Sequence, residues 1–364
     1  MTPVELSRTV LHAVRRAVDE GELRVAVPER VAVAPPGPGG CGEYATNIAL
    51  QLAGPAGHTP RHVAEVLRAR LLQDGPDGQN GGISDVVVTG PGFINISLRG
   101  AAPVALVEEI LRTRSAGGTP YGHRDGMSGE RVLLHGAAEV RALVQVDALA
   151  RILRSQGAAV RTRCDASPSA SEWDAVLGDL GVVVDGVGDD DPYDAPRVDV
   201  RPVPAPGDPL PLGRDAARWA LLRPASHDRP RITGEHLVQR EGNPLFRVRY
   251  AHARTRALLR NAADLGFAPE PGPVDVSGAR PLLAALADHP RVLAAAARHR
   301  APDRLARHLV TVADATQPLL PAVLPLGEEK PSAAHRARLA LAEAAGTVLA
   351  GGLSLLGIDA PDHL

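Results

Sequence analysis

The run NPLFRVRYAHARTRALLR, from Asn243 to Arg260, reads as one amphipathic helix and sets the terms for the rest of the chain. Asn243 is a good N-cap, and Pro244 suits the first helical position, where its missing N–H costs nothing. Val248, Ala251, Thr255, Leu258, Leu259 and Ala262 fall on one face at steps of three and four. Arg247, Tyr250, Arg254 and Asn261 form a stripe along one flank of that face, and Arg249, Arg256 and Arg260 form another. A phenolic ring between two guanidinium planes can stack on bases and clamp phosphates of single-stranded RNA. The same spacing also fits an amphipathic helix whose arginines are simply solvated.

The segment Tyr250-Ala251-His252-Ala253-Arg254 resembles the YAHAR motif in the opening helix of the anticodon-binding domain of class I arginyl-tRNA synthetases. Two further runs carry the same resemblance. Gly42-Glu43-Tyr44-Ala45-Thr46-Asn47 is similar to GDYATN of the family's small N-terminal α+β domain, and Gly90-Pro91-Gly92-Phe93-Ile94-Asn95 to its GPGFIN. The resemblance implies that this domain touches the tRNA elbow and that Phe93 and Asn95 contact a D-loop base. Phe93 offers a stacking face, and the Asn95 amide can both donate and accept. Read without the resemblance, Phe93 is a core residue of a hairpin and Asn95 stands at its edge, while Tyr44 and Asn47 are structural.

At 364 residues the chain is long enough for two or three domains and a large core. No apolar run is long enough to span a membrane, and Thr2-Pro3-Val4-Glu5 reads as the capped start of a helix rather than a leader. Cys41 and Cys164, the only cysteines, lack metal-ligand spacing, so a cytoplasmic chain with reduced thiols and no metal or cofactor is expected. The net charge of −2 hides an asymmetry. Residues 165–213 hold eleven Asp and Glu against two Arg, whereas 214–364 hold twenty Arg and Lys against fifteen acids. An RNA partner would therefore meet the two ends rather than the middle, with binding that falls steeply with salt.

Along the N-terminal region the apolar pattern predicts helix 3–19, a helix begun by Thr59-Pro60, strands 83–89 and 93–98, and a helix over 102–114. The middle predicts strand 131–135, helix 138–156, strand 158–164, helix 169–180 and strand 181–187, a βαβαβ unit. Helix 213–222 follows. Beyond Arg260 helices are expected over 279–288, 290–299, 302–324 and 332–356. The expected architecture is thus multidomain α+β and α/β. It comprises an N-terminal α+β domain (1–117), a shortened Rossmann-like remnant (118–225) and an all-helical anticodon-binding bundle of the DALR type (226–364).

Against the family's pattern, Gly136-Ala137-Ala138-Glu139 stands where a HIGH tetrapeptide belongs, with His135 just before it. No KMSKS-like loop precedes Gly213, and Lys330 is the only lysine of the chain. Adenylate formation develops negative charge on phosphate, which one well-placed donor stabilises by about 3–4 kcal/mol. Asp185, Asp189, Asp190, Asp191, Asp194 and Asp199 would instead repel ATP, and Asp189 to Asp191 read as a solvated loop rather than a Mg²⁺ site. Aromatic or sulfur side chains that hold the anticodon loop in the family are replaced by Arg247, Leu320 and Leu364, the last standing for a terminal Met. The resulting expectation is a chain that is not an enzyme and has no catalytic residues. It would bind tRNA, arginine tRNA first of all and not DNA, through Phe93, Asn95, Arg247, Tyr250 and Arg254. The alternative is a protein–protein scaffold or regulator that keeps the fold without binding RNA.

Overall fold

The computed structural model describes residues 3–37, 40–73, 83–98, 101–112, 119–165, 176–188, 194–274 and 279–364. Thr2, the first part of the expected helix 169–180 and Asp189 to Asp191 lie outside them. The chain forms two compact units, Met1–Glu108 and Glu109–Leu364.

In the first unit, α1 (Pro3–Asp19), α2 (Ile48–Ala56) and α3 (Pro60–Gln73) accompany an antiparallel sheet. The sheet has the order β1-β3-β2, with β1 Tyr44–Thr46, β2 Ile83–Thr89 and β3 Phe93–Leu98. Leu6, Val10 and Val14 of α1 join Val63, Leu67 and Leu71 of α3 over Ile94 and Ile96 of the central strand. The β2–β3 turn is tight because Gly92 sits at φ +142° and a Cβ there would meet the Pro60 carbonyl oxygen at 2.8 Å. The helix α4 (Ala101–Arg112) follows.

The second unit opens with a four-stranded, wholly parallel sheet of order β6-β5-β4-β7. Its strands are β4 (Arg131–Gly136), β5 (Ala159–Cys164), β6 (Gly186–Val187) and β7 (Arg197–Val200), with α5 (Val140–Ser155) crossing from β4 to β5. The strand expected over 181–187 pairs only at its last two residues, and β7, absent from the sequence reading, closes the other side of β4. Among the described residues the unit continues with α6 (Gly213–Leu222), α7 (Pro244–Asp264), α8 (Ala279–His299), α9 (Pro302–Thr316) and α10 (Ala333–Leu355).

The break expected at Pro290 does not occur, since α8 runs through it. Proline deprives the Leu286 carbonyl of its usual N–H partner, and the Tyr121 hydroxyl donates to that oxygen instead at 3.2 Å. The helix expected over 302–324 stops at Thr316, and Leu320–Ala322 forms a separate short turn of 3-10 helix. Helices α7 and α10 approach closely at Gly346, where the Thr255 side chain leaves no room for a Cβ.

Candidate nucleic-acid interface

Helix α7 begins as its sequence implies. The Asn243 Oδ1 accepts from the Leu245 amide at 3.0 Å, and its Nδ2 donates to the carbonyls of His236 and Val238 at 2.8 and 3.0 Å. One side chain thereby caps the helix and ties down the segment before it. The Phe246 ring lies against Tyr250, with centroids 5.4 Å apart and planes inclined by 28°. With Arg254 one turn further on, these residues form a stripe at i, i+4 and i+8. Arg254 is exposed, and neither it nor the Tyr250 hydroxyl makes a hydrogen bond or ion pair with the described residues. Phe246, Arg247 and Tyr250 line a recess of about 820 Å³ together with Arg240, Asp314 and Gln317.

Arg247 is placed differently from Tyr250 and Arg254. Its Nη1 donates to both carboxylate oxygens of Asp314, at 2.8 and 2.9 Å, so its charge is compensated within the fold. The second flank of α7 is also engaged. Arg249 lies 3.4 Å from Asp215, and Arg256 Nε donates to Asp362 at 2.9 Å. Arg260 reaches the Asp362 carbonyl and the His363 ring, both at 3.3 Å. The His252 Nδ1 lies 3.0 Å from the Pro361 carbonyl, and burial pushes this imidazole below its ordinary pKa. These contacts hold residues 361–363 against the helix. Leu320 is buried, whereas Leu364 is half exposed.

In the first unit Phe93 is 42% exposed at the start of β3. Asn95 is only 2% exposed, although it points away from the face carrying Ile94 and Ile96. The loop before β1 covers it. Its Oδ1 accepts from the Cys41 amide at 3.3 Å, and its Nδ2 donates to Thr89 Oγ1 at 2.7 Å and to the Val87 carbonyl at 3.3 Å. A Cβ on Gly40 would stand 2.8 Å from that Oδ1, which explains a glycine there. Phe93 is therefore presented to solvent, whereas Asn95 joins the loop and the hairpin from within.

In the parallel sheet Glu139 caps α5. Its carboxylate accepts from the amides of Arg141 at 3.0 Å, Ala142 at 2.9 Å and Ala205 at 3.2 Å. His135 is buried at the end of β4, its Nδ1 3.2 Å from Arg197 Nη2 and 3.4 Å from Asp165 Oδ1. Three acids of this region have partners. Asp185 accepts from the Thr162 amide and hydroxyl, Asp199 lies 3.0 Å from Arg197, and Asp165 lies 3.2 Å from Arg201.

Two family models match the chain. Residues 5–98 match the arginyl-tRNA synthetase N-terminal domain, and residues 248–364 match the DALR anticodon-binding domain. An arginine–tRNA ligase of Frankia alni is 27% identical over 563 positions, covering 100% of both chains. One of Pseudarthrobacter chlorophenolicus is 26% identical with the same coverage. The Frankia alignment is 563 positions long against 364 residues here, so the relative holds segments that this chain does not. The fold matches Thermus thermophilus arginyl-tRNA synthetase at TM-score 0.70, with 16% identity and all of both chains covered. It also matches arginyl-tRNA synthetase from Plasmodium falciparum at 0.74, with 8% identity over 100% of this chain and 99% of that one.

These relatives overturn one expectation. The missing signatures and the acidic middle implied a chain that is not an enzyme, yet the relatives matched along their whole length are named as ligases. The chain thus carries an arginyl-tRNA synthetase N-terminal domain and a DALR anticodon-binding domain, and along its whole length it is similar to arginine–tRNA ligases.

Proposed function

We propose that the chain binds tRNA, arginine tRNA first of all, through a stacking surface on each terminal domain. The observation that carries this reading is the Phe246–Tyr250 ring pair with the unpaired Arg254 beside it. Two partly exposed aromatic faces and one free guanidinium accept unstacked bases and a phosphate, which is how single-stranded loops are held. On the first unit Phe93 supplies a second ring, and Asn95 sets its position by tying the hairpin to the loop at Cys41. Arg247 supports the stripe by fixing α7 to Asp314 of α9.

The test is a filter-binding titration of the full chain with an arginine tRNA transcript at low salt. Saturable binding that weakens on Tyr250→Ala supports the proposal, and a flat titration overturns it. Arginylation, the reaction in the relatives' name, is the reaction to assay on the same transcript.

A further inference from the structure

A second cleft lies immediately before helix α7 in the chain. It encloses about 800 Å³ and is lined by Trp219 and Arg223 at the end of α6, by Arg229 and Arg231 of the following segment, and by Arg307 of α9. Two carboxylates, Asp228 and Glu235, also border it, so guanidinium groups outnumber acids four to two. Arg307 is paired with Asp303, which sits on its own helix. The side chains of Arg223, Arg229 and Arg231 make no hydrogen bond or ion pair with the described residues. Trp219 is fully buried, and its Nε1–H has no hydrogen-bond partner among the described residues, so it is a donor at the cleft wall that they leave unused.

Like charges are not gathered without a restraint, and a single buried residue supplies it. Arg141 donates Nε to the Leu221 carbonyl at 3.1 Å, Nη1 to those of Val203 and Asp228 at 2.6 and 2.7 Å, and Nη2 to those of Pro224 and Ala225 at 3.2 and 2.9 Å. All five donors of this guanidinium are thus engaged by backbone carbonyls, four of them on either side of Arg223 between Leu221 and Asp228. The cleft is held in shape before any ligand arrives. The Arg223 guanidinium is itself pushed below its ordinary pKa by burial and by the neighbouring charges of Arg247 and Arg307. An incoming anion would relieve that crowding.

We propose that this cleft is a phosphate site, filled by the backbone of the RNA held on the adjoining stripe. Gly242 borders both the cleft and the recess of Tyr250, so one strand can pass from the aromatic pair to the arginines. Phosphodiesters, unlike bases, need only charge and donors, which the cleft offers without a further aromatic ring at the surface. The inference rests on the tRNA-binding reading above for the source of the phosphate but not for the site itself.

The experiment uses the full chain and the double substitution Arg229→Ala/Arg231→Ala, both residues exposed and unpaired, with thermal unfolding as the check on folding. Titrations with arginine tRNA over a range of salt should show affinity lowered about tenfold and a salt slope shallower by about two, one per lost contact. Tyr250→Ala should lower affinity while leaving the slope unchanged. An unaltered slope and affinity in the double variant would overturn the proposal. In a parallel arm, inorganic pyrophosphate is added and the shift in melting temperature is read. If the wild-type chain binds no tRNA, protection by pyrophosphate that the double variant loses supports the phosphate site, and no protection overturns it. Protection lost by a variant that still binds tRNA normally would assign the cleft to a free phosphate ligand and overturn the RNA assignment.

Discussion

Arg218 donates Nη2 to Asp147 Oδ2 at 2.5 Å in the buried junction between α6 and α5. The other guanidinium nitrogens reach the carbonyls of Leu356, at 2.8 Å, and Leu180, at 3.0 Å, so one arginine joins the parallel sheet region to the end of the last helix. Gly357 follows with φ +70°, and a Cβ there would collide with the Arg218 guanidinium. Removing Asp147 leaves that guanidinium buried without its counter-charge, which costs about 3–5 kcal/mol. Asp147→Ala should therefore lower stability by that amount in urea unfolding. A loss below about 1 kcal/mol would mean that water or another acid replaces the carboxylate.

The stripe on α7 gives a second prediction. Tyr250→Ala and Phe246→Ala should each weaken tRNA binding by about 1–3 kcal/mol while leaving the unfolding midpoint close to that of the wild type. Tyr250→Phe separates the ring from its hydroxyl: if stacking dominates, affinity is nearly preserved in a filter-binding series.

Phe93 and Asn95 should behave oppositely despite standing two residues apart. Phe93→Ala removes an exposed ring and should change RNA affinity with little effect on stability. Asn95→Ala strands the Cys41 amide and the Thr89 hydroxyl, costing about 1–3 kcal/mol, and should appear in denaturant unfolding before it appears in binding.

A stack of His289 and His308, with ring centroids 5.3 Å apart, predicts an acid-sensitive bundle. Tyr121 also stacks on His289, and His123, Asp288 and Arg291 are the neighbouring charged or titratable groups. Burial pushes His289 well below its ordinary value and His308 down to about 4. The unfolded chain then binds more protons than the folded one between these values and about 6.5, so stability rises with pH through that window. It is fully present above about 6.5 and is lost progressively as pH falls toward 4. For His308 the loss is on the order of 3 kcal/mol. Urea midpoints of wild type and His308→Leu at neutral and acid pH measure it, with the variant expected to show the flatter dependence.

Much of the architecture was legible because local chemistry and tertiary packing agree. The cap at Asn243, helix 213–222 and the hairpin around Gly90-Pro91-Gly92 all formed where their residues implied. The misreadings share a cause: a distant group supplied what the local sequence lacked. Pro290 continues α8 because Tyr121 serves the carbonyl that proline leaves without a donor. Asn95 looked like an edge residue because nothing in its own strand shows that the loop at Gly40 will cover it. The stack on Tyr250 is a local exception, since its partner is Phe246, four residues before it, and not the position of Arg247, three before. Glu139 shows the same limit from the other side, since its role as a cap depends on where Ala205 returns to the sheet.

The number of arginines on α7 overstates the field that the helix projects. Arg247 and Arg249 are matched by carboxylates of neighbouring helices, while Arg256 and Arg260 are turned to the last residues of the chain. Asp362 is held below its ordinary pKa by Arg256 and so keeps its charge in mild acid. Only Arg254 of the five reaches solvent without a partner among the described residues. A nucleic acid approaching this face would meet ring surfaces ahead of net charge, so the salt dependence of its binding would come mainly from the arginines beyond the stripe.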